Sequence, residues 1–471
     1  MLKNSNIMKK LVAILSFVLI SFSAFPQDIE GKWNGNLEVQ AGRKIVFIFQ
    51  ISSTEKVLKT EIAIPSQGVK ELVAKSTTFE DGNLLIDASN LGFKYSGKWN
   101  ASSGTIEGSF QEGVNTVPLI LTRETIEEVK LNRPQEPVKP YPYKEEEVKF
   151  INQKANVALA GTLSLPASMD TKPPVVILIS GSGPQDRDET FASHKPFLVL
   201  SDYLTRNGIA VLRYDDRGYG ESTGDFSTGT TADFAEDVLS AIEFLKKRTD
   251  IDSNKIGLVG HSEGAIIAPM VANQSNGVSY IVMLAGTGTT GKEVSLRQTL
   301  DFRNFPVADE EAYEAYVHEA IEIASSDKET AIVKSELKTF YQKSEILASL
   351  LPANVDRDEF IENLVATRTT PWIRYFYNYN PVAEIKKINI PVMALYGTND
   401  TQVPPKYHLQ PVKDALASSR SNNYEVILLE GLNHLYQESK TGLVSEYSQI
   451  EQTFAPEALE VISNWILKQT K

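Results

Sequence analysis

From Asp28 to about Arg123, apolar and polar residues alternate in short runs separated by Gly, Asn and Asp. Period-two alternation turns one face of each run to a core and the other to water. Strands are therefore expected at Asn36 to Val39, Ile45 to Ile51, Lys59 to Ile64, Asn83 to Asp87, Lys94 to Trp99, Gly104 to Phe110 and Pro118 to Leu121. Short strands with turn residues between them predict a small all-β barrel or sandwich over 28–123. The pattern then breaks: Pro134, Pro137, Pro140 and Pro142 stand among charges with few large aliphatic residues, which predicts an extended linker over 124–147. Beyond it the period changes. Val148 to Ile151 and Leu159 to Leu165 read as a leading pair of strands. Apolar runs follow at Val175 to Ile179, Ala210 to Tyr214, Ile256 to Val259, Tyr280 to Ala285, Val392 to Tyr396 and Tyr424 to Leu429. Helical spacing fills Pro196 to Asn207, Thr231 to Thr249, Glu263 to Ala272, Lys406 to Ala417 and Pro456 to Lys468. Near-continuous apolar strands alternating with helices predict a mostly parallel sheet covered on both faces, with the leading pair as an antiparallel edge. At about 287–380 the alternation stops and only helical spacing remains, as in Glu310 to Ile321. This is a helical insertion between two strands, placed to overhang the carboxyl ends of the sheet, and hence a candidate cap.

Lys255-Ile256-Gly257-Leu258-Val259-Gly260-His261-Ser262-Glu263-Gly264-Ala265 carries chemistry on this scaffold. A short apolar strand runs into Gly-x-Ser-x-Gly and then a helix of small residues, which is the context of a nucleophile elbow. The serine sits at the tip of a strained turn, and glycines stand where strand and helix cross. A serine hydroxyl needs a base, and the base needs a third group to orient it. Of the five histidines, His261 lies inside the elbow and is expected to point away from the serine, His318 falls on the insertion, His194 in a loop and His408 at a helix start. His434, in Gly431-Leu432-Asn433-His434, directly follows an apolar strand and can reach Ser262. Asp400 follows the preceding strand in Gly397-Thr398-Asn399-Asp400. The order Ser262, Asp400, His434 is that of the α/β-hydrolase arrangement. Two donors must converge on the oxyanion: the backbone N–H of Glu263, and one from the loop after Val175 to Ile179, for which Ser182 is the choice with Gly181 beside it. Arg213, Asp215, Asp216 and Arg217 read as a buried charge network beneath these loops.

Composition narrows the partners. A chain of 471 residues implies two or three folded units, and a net charge of −13 without a basic run argues against nucleic acid. Cysteine is absent, which excludes disulfides, thiolate metal sites and a cysteine nucleophile. Lys3, Lys9 and Lys10 precede an apolar run from Leu11 to Ile20, then small residues to Gln27. This is the pattern of a secretory signal peptide over 1–27, too short in its apolar run to span a bilayer, and it predicts a periplasmic or extracellular protein with no membrane segment after removal.

Gly31-Lys32-Trp33-Asn34-Gly35, echoed by Gly97-Lys98-Trp99-Asn100, resembles the opening strand of lipocalin-like barrels. From 148 to 471 the chain resembles bacterial α/β-hydrolases of the esterase and serine-aminopeptidase-like branch. The likeness rests on Gly181-Ser182-Gly183-Pro184-Gln185-Asp186-Arg187-Asp188, Arg213 to Ser222, Gly260-His261-Ser262-Glu263-Gly264 and Gly431-Leu432-Asn433-His434. It implies an α/β-hydrolase fold with a helical cap and a serine hydrolase acting on short acyl esters, with an accessory β domain in exported members. Ala265 stands where the branch often has glycine. No metal or organic cofactor is required, and the expected partner is a small-molecule ester. Among the aromatic residues that end the insertion, Trp372, Tyr375 and Phe376 are candidates for the substrate pocket. An aminopeptidase remains open, since Glu263, Asp186, Asp188 or Glu189 could hold a free amine; so do a thioesterase and a non-catalytic binding module.

Overall fold

The computed structural model describes residues 29–40, 43–55, 57–65, 69–112, 115–126, 132–167, 171–303, 305–351 and 355–471. The signal-peptide expectation over 1–27 lies outside them. The chain divides into two compact units, one ending at Glu128 and one beginning at Val129.

The first unit is a closed antiparallel barrel. Its strands are β1 (Gly31–Gln40), β2 (Arg43–Thr54), β3 (Val57–Ile64), β4 (Val69–Val73), β5 (Ser76–Glu80), β6 (Asn83–Ala88), β7 (Phe93–Asn100), β8 (Thr105–Glu112) and β9 (Asn115–Thr122). The order β2-β1-β9-β8-β7-β6-β5-β3 returns to β2 through the β2–β3 pairing, which closes eight strands, while β4 lies along the rest of β3. Closure removes the free edges that an open sheet would expose. Trp33, Phe49, Ile62, Ile86, Tyr95 and Leu121 fill the interior. Trp33 and Trp99, from the two echoing segments, meet edge to face at 5.6 Å. β4 and β5 were not among the expected strands.

The second unit carries an eight-stranded sheet in the order β10 (Lys144–Asn152), β11 (Val157–Leu165), β13 (Ala210–Tyr214), β12 (Val175–Ile179), β14 (Ile256–His261), β15 (Tyr280–Leu284), β16 (Val392–Gly397), β17 (Tyr424–Leu429). β10–β11 and β11–β13 are antiparallel and the rest parallel, as the leading pair predicts. The central strands β12 to β16 are buried along their whole length, which explains their unbroken apolar runs. One layer of helices comprises α1 (Pro196–Arg206) and α13 (Pro456–Gln469); the other comprises α2 (Thr231–Lys246), α3 (Glu263–Gln274), α10 (Pro381–Ile385) and α11 (Pro405–Ala417). A short helix α12 (Val444–Tyr447) lies in the segment after β17.

Between β15 and β16 the chain forms α4 (Gly291–Asp301), α5 (Glu310–Ala324), α6 (Thr330–Lys343), α7 (Glu345–Leu350), α8 (Arg357–Arg368) and α9 (Pro371–Asn378). These helices have their own core, with Val317, Ile321, Val333, Leu337, Tyr341 and Ile361 at its centre. Val294 and Phe376 join Ile266 of α3 in a small separate cluster that seats the insertion on the elbow helix.

The proline-rich segment differs from an extended linker. Gln135 donates to the Phe454 carbonyl at 2.6 Å and accepts the N–H groups of Thr453 and Phe454, Arg133 donates to Ser193, and Tyr143 donates to Asp202. From Arg133 on, polar side chains fasten the segment to the second unit, and its last residues open β10. Proline excluded helix there without excluding docking. Among the described residues, no helix is long and apolar enough to cross a membrane.

Candidate active site

β14 ends at His261 and α3 starts at Glu263, so Ser262 alone makes the turn, with φ 52° and ψ −110°. A non-glycine residue there is strained, and the surroundings hold it: Ser262 N–H donates to the Leu284 carbonyl at 2.8 Å. The flanking glycines are obligatory. A Cβ on Gly260 would overlap the Gly264 carbonyl, and one on Gly264 the Ile179 carbonyl. Ala265, by contrast, is fully buried in the core, and its methyl group is accommodated.

Asp400 and His434 stand in the loops after β16 and β17. His434 Nδ1 donates to Asp400 Oδ2 at 2.8 Å, and Asp400 Oδ1 accepts the N–H groups of Gln402 and Val403, both at 2.8 Å. The carboxylate fixes the proton on Nδ1 and leaves Nε2 as a lone pair. Burial alone would raise the Asp400 carboxyl, but the His434 ring and the two N–H bonds outweigh it and hold it below its ordinary 3.8. Neighbouring Asn399 is engaged elsewhere, donating to the Ser439 and Gly431 carbonyls and so bracing the loop that carries His434.

Ser262 and His434 line one cavity of about 220 Å³, together with Gly181, Ser182, Glu189, His261, Glu263, Ile266, Val294, Gln298, Trp372, Phe376 and Leu435. Gly181 lies against Ser262: a Cβ there would come within 3.3 Å of Ser262 Cβ. Its N–H donates to Glu189 Oε1 at 2.8 Å, so of the two candidates in this loop only Ser182 has a main-chain N–H not already committed in this way. Trp372 and Phe376 stack at 5.3 Å one helical turn apart on α9. Tyr375 is not brought to the cavity; it packs against the main core and stacks on Tyr379, because it projects from a neighbouring face of α9.

Glu263 is buried beside Ser262. Its Oε1 accepts from Thr231 Oγ1 and from Trp372 Nε1, each at 2.7 Å, and the Ser182 hydroxyl is a further partner. Burial raises this carboxyl above its ordinary 4.5 although all three donors pull the other way. His261 departs from expectation. The turn at Ser262 breaks strand alternation, so the His261 ring lines the cavity too, bonded to Glu189 and to the His434 carbonyl. The other histidines are elsewhere. Burial lowers His194 and His408 to about 4, and His318 is exposed on α5.

The charge network lies beneath the loops as expected. Arg187 pairs with Asp215 at 2.7 Å, Arg217 with Asp237 at 2.7 Å, and Arg213 with Glu145 at 2.9 Å and with Asp188. Asp216 accepts from Ser180 Oγ and Gln185 N–H, which pins both ends of the Gly181–Ser182 turn. Among the described residues, no three His, Asp or Glu side chains converge as a metal site would require.

The family model for X-Pro dipeptidyl-peptidases (S15 family) matches residues 115–422, more than half of the chain. The chain belongs to the S15 family. The part of this S15 protein that the model matches contains Ser262 and Asp400 and stops before His434. Esterase EstD of Thermotoga maritima is 28% identical over 280 residues, 59% of this chain and 58% of that protein. An acyl transferase of Shewanella woodyi is 36% identical over 106 residues, 22% of this chain and 32% of its own. The solved structure of Pyrococcus furiosus esterase Pf2001 aligns with 72% of this chain and 98% of its own at 17% identity, with a TM-score of 0.42. Membership of the S15 family, which lies within the α/β-hydrolase superfamily, supports a serine hydrolase.

Proposed function

We propose that this protein hydrolyses carboxylic esters of short acyl chains through an acyl-enzyme on Ser262. One observation carries the reading: a strained serine lines the same small cavity as a histidine whose far nitrogen is bonded at 2.8 Å to a buried carboxylate. His434 Nε2 takes the Ser262 proton as Oγ attacks the ester carbonyl, and the Asp400 carboxylate stabilises the imidazolium that results. The N–H groups of Glu263 and Ser182 receive the oxyanion. His434 then protonates the leaving alcohol and, in reverse order, activates water to release the acid. The insertion serves as a cap: Val294 and Gln298 of α4 and Trp372 and Phe376 of α9 close the cavity, whose volume of about 220 Å³ suits a small acyl group. The N-terminal pattern makes export part of the proposal.

The S15 match favours a second reading, a peptidase that anchors a free amine. Such an enzyme needs an available carboxylate in the cavity. The two carboxylates that line it, Glu189 and Glu263, are both committed to internal donors, which supports the ester. The test is turnover of p-nitrophenyl acyl esters beside aminoacyl- and X-Pro-p-nitroanilides by wild type and Ser262→Ala. Ester turnover lost in the variant is expected. Anilide turnover with little ester cleavage would replace this reading with the peptidase.

A further inference from the structure

His261 faces an acceptor at each ring nitrogen. Nε2 is 2.9 Å from the His434 main-chain oxygen, which can only accept, so Nε2 carries a proton. Nδ1 is 2.8 Å from Glu189 Oε1, and the same oxygen accepts the Gly181 N–H at 2.8 Å. A carboxylate oxygen accepts two N–H bonds readily, whereas a carboxylic hydroxyl would have to donate to Nδ1 while accepting from Gly181. The second proton therefore sits on the ring, opposite a carboxylate, and both partners are buried.

The result is one line of hydrogen bonds running from the oxyanion loop (Gly181) through Glu189 and His261 to the backbone of the catalytic base. It passes through the residue next to the nucleophile. The His261 and His434 rings are also neighbours, tilted at 48° to each other with centroids 4.6 Å apart. The other titratable groups around the His261 ring are Tyr436 at 6.4 Å and Asp400 beyond His434, while Asp216 faces Glu189 from the loop after β13. Burial opposes a charge on the ring, but Glu189, helped by the His434 carbonyl and Asp400, overcomes it and holds His261 above its ordinary 6.5.

We propose that His261 is a positioning residue for the hydrolysis: an imidazolium held by Glu189 that couples the oxyanion loop to His434 and opposes premature protonation of the base. This rests on His434 being that base. Without His261 the cation is gone and the Glu189 carboxylate remains, so protonation of the base becomes easier. Removing Glu189 as well takes both charges away.

The experiment has two arms. In the first, pH profiles of kcat/KM for a p-nitrophenyl ester are compared for wild type, His261→Gln and the double variant His261→Gln/Glu189→Gln. His261→Gln is expected to lower kcat more than it changes KM and to move the acid limb up by about half a unit or more, with the double variant returning toward wild type. A limb that stays in place in folded His261→Gln overturns the proposal, since loss of packing alone would lower kcat without moving it. The second arm needs no activity and no His261 variant. Ring-15N-histidine labelling of Ser262→Ala, with five histidines in the chain, is expected to reveal one histidine retaining both ring N–H protons at about pH 8. Finding every histidine singly protonated there overturns the proposal. Ester turnover surviving in Ser262→Ala would instead remove the nucleophile assignment and leave the protonation result standing.

Discussion

Asp400 uses both of its carboxylate oxygens, one for two main-chain N–H groups and one for the His434 proton. An amide of the same shape has a single acceptor oxygen. Asp400→Asn must turn its NH2 either toward Gln402 and Val403 or toward His434, and in the second case the imidazole shifts its proton to Nε2, where it blocks the serine. The expected outcome is a fall in ester kcat on the order of 10³- to 10⁴-fold with little change in KM, measured by steady-state kinetics on protein whose unfolding curve confirms that it is folded. That Ser262, Asp400 and His434 stand at one end of the sheet was legible in the chain, because each lies in the turn or loop that follows an apolar strand. The link between Glu189 and His261 was not. The two are 72 residues apart, and their contact depends on positive φ at Glu189 and on the turn at Ser262, neither of which has a periodic signature.

Where β14 and α3 cross, main-chain atoms approach so closely that a single methyl group decides the packing. Gly264→Ala forces the new Cβ into the Ile179 carbonyl of β12, so the elbow must open or the strand must move. A loss of about 1–3 kcal/mol in unfolding free energy is expected, together with loss of ester turnover, read by urea denaturation and by kinetics on the soluble fraction. The helical insertion makes a different kind of contact, through side chains. Trp372 closes the cavity with its ring and donates its Nε1–H to Glu263, and the two roles can be separated. Trp372→Ala should move the preferred acyl chain to greater length, whereas Trp372→Phe should leave the preference in place and lose only the bond. Values of kcat/KM across p-nitrophenyl esters from acetyl to dodecanoyl decide the matter. Helices in both layers and in the insertion could be anticipated from their 3.6-residue spacing. β4 and β5 could not, because five-residue strands of mixed polarity such as Ser76–Glu80 fit no single period. Tyr375 failed as a pocket residue for a related reason: spacing places an aromatic on a helix face without saying what that face meets.

At the scale of the whole molecule, the barrel and the sheet unit each close around their own core, and every residue lining the cavity belongs to the second unit. Because the proposed ester turnover arises in that unit, the unfolding transition that coincides with its loss gives the unit's stability. Two buried groups of the site should tilt this stability with pH in opposite directions. The Asp400 carboxyl is lower in the folded protein than its ordinary 3.8, so the stabilisation it provides is complete above that value and disappears as pH falls through the folded value. His261 lies above its ordinary 6.5 when folded, so its stabilisation is complete below that value and disappears as pH rises through the folded one. Other buried acids, Glu263 and Asp216 among them, contribute to the total profile, but they are common to wild type and variants and cancel in the difference. Urea midpoints across a pH series should therefore show the gap between wild type and Asp400→Asn narrowing toward acid, and the gap between wild type and His261→Gln narrowing toward alkali. Two gaps narrowing in the same direction would mean that one of these groups has the opposite charge in the folded protein to the one its hydrogen bonds require.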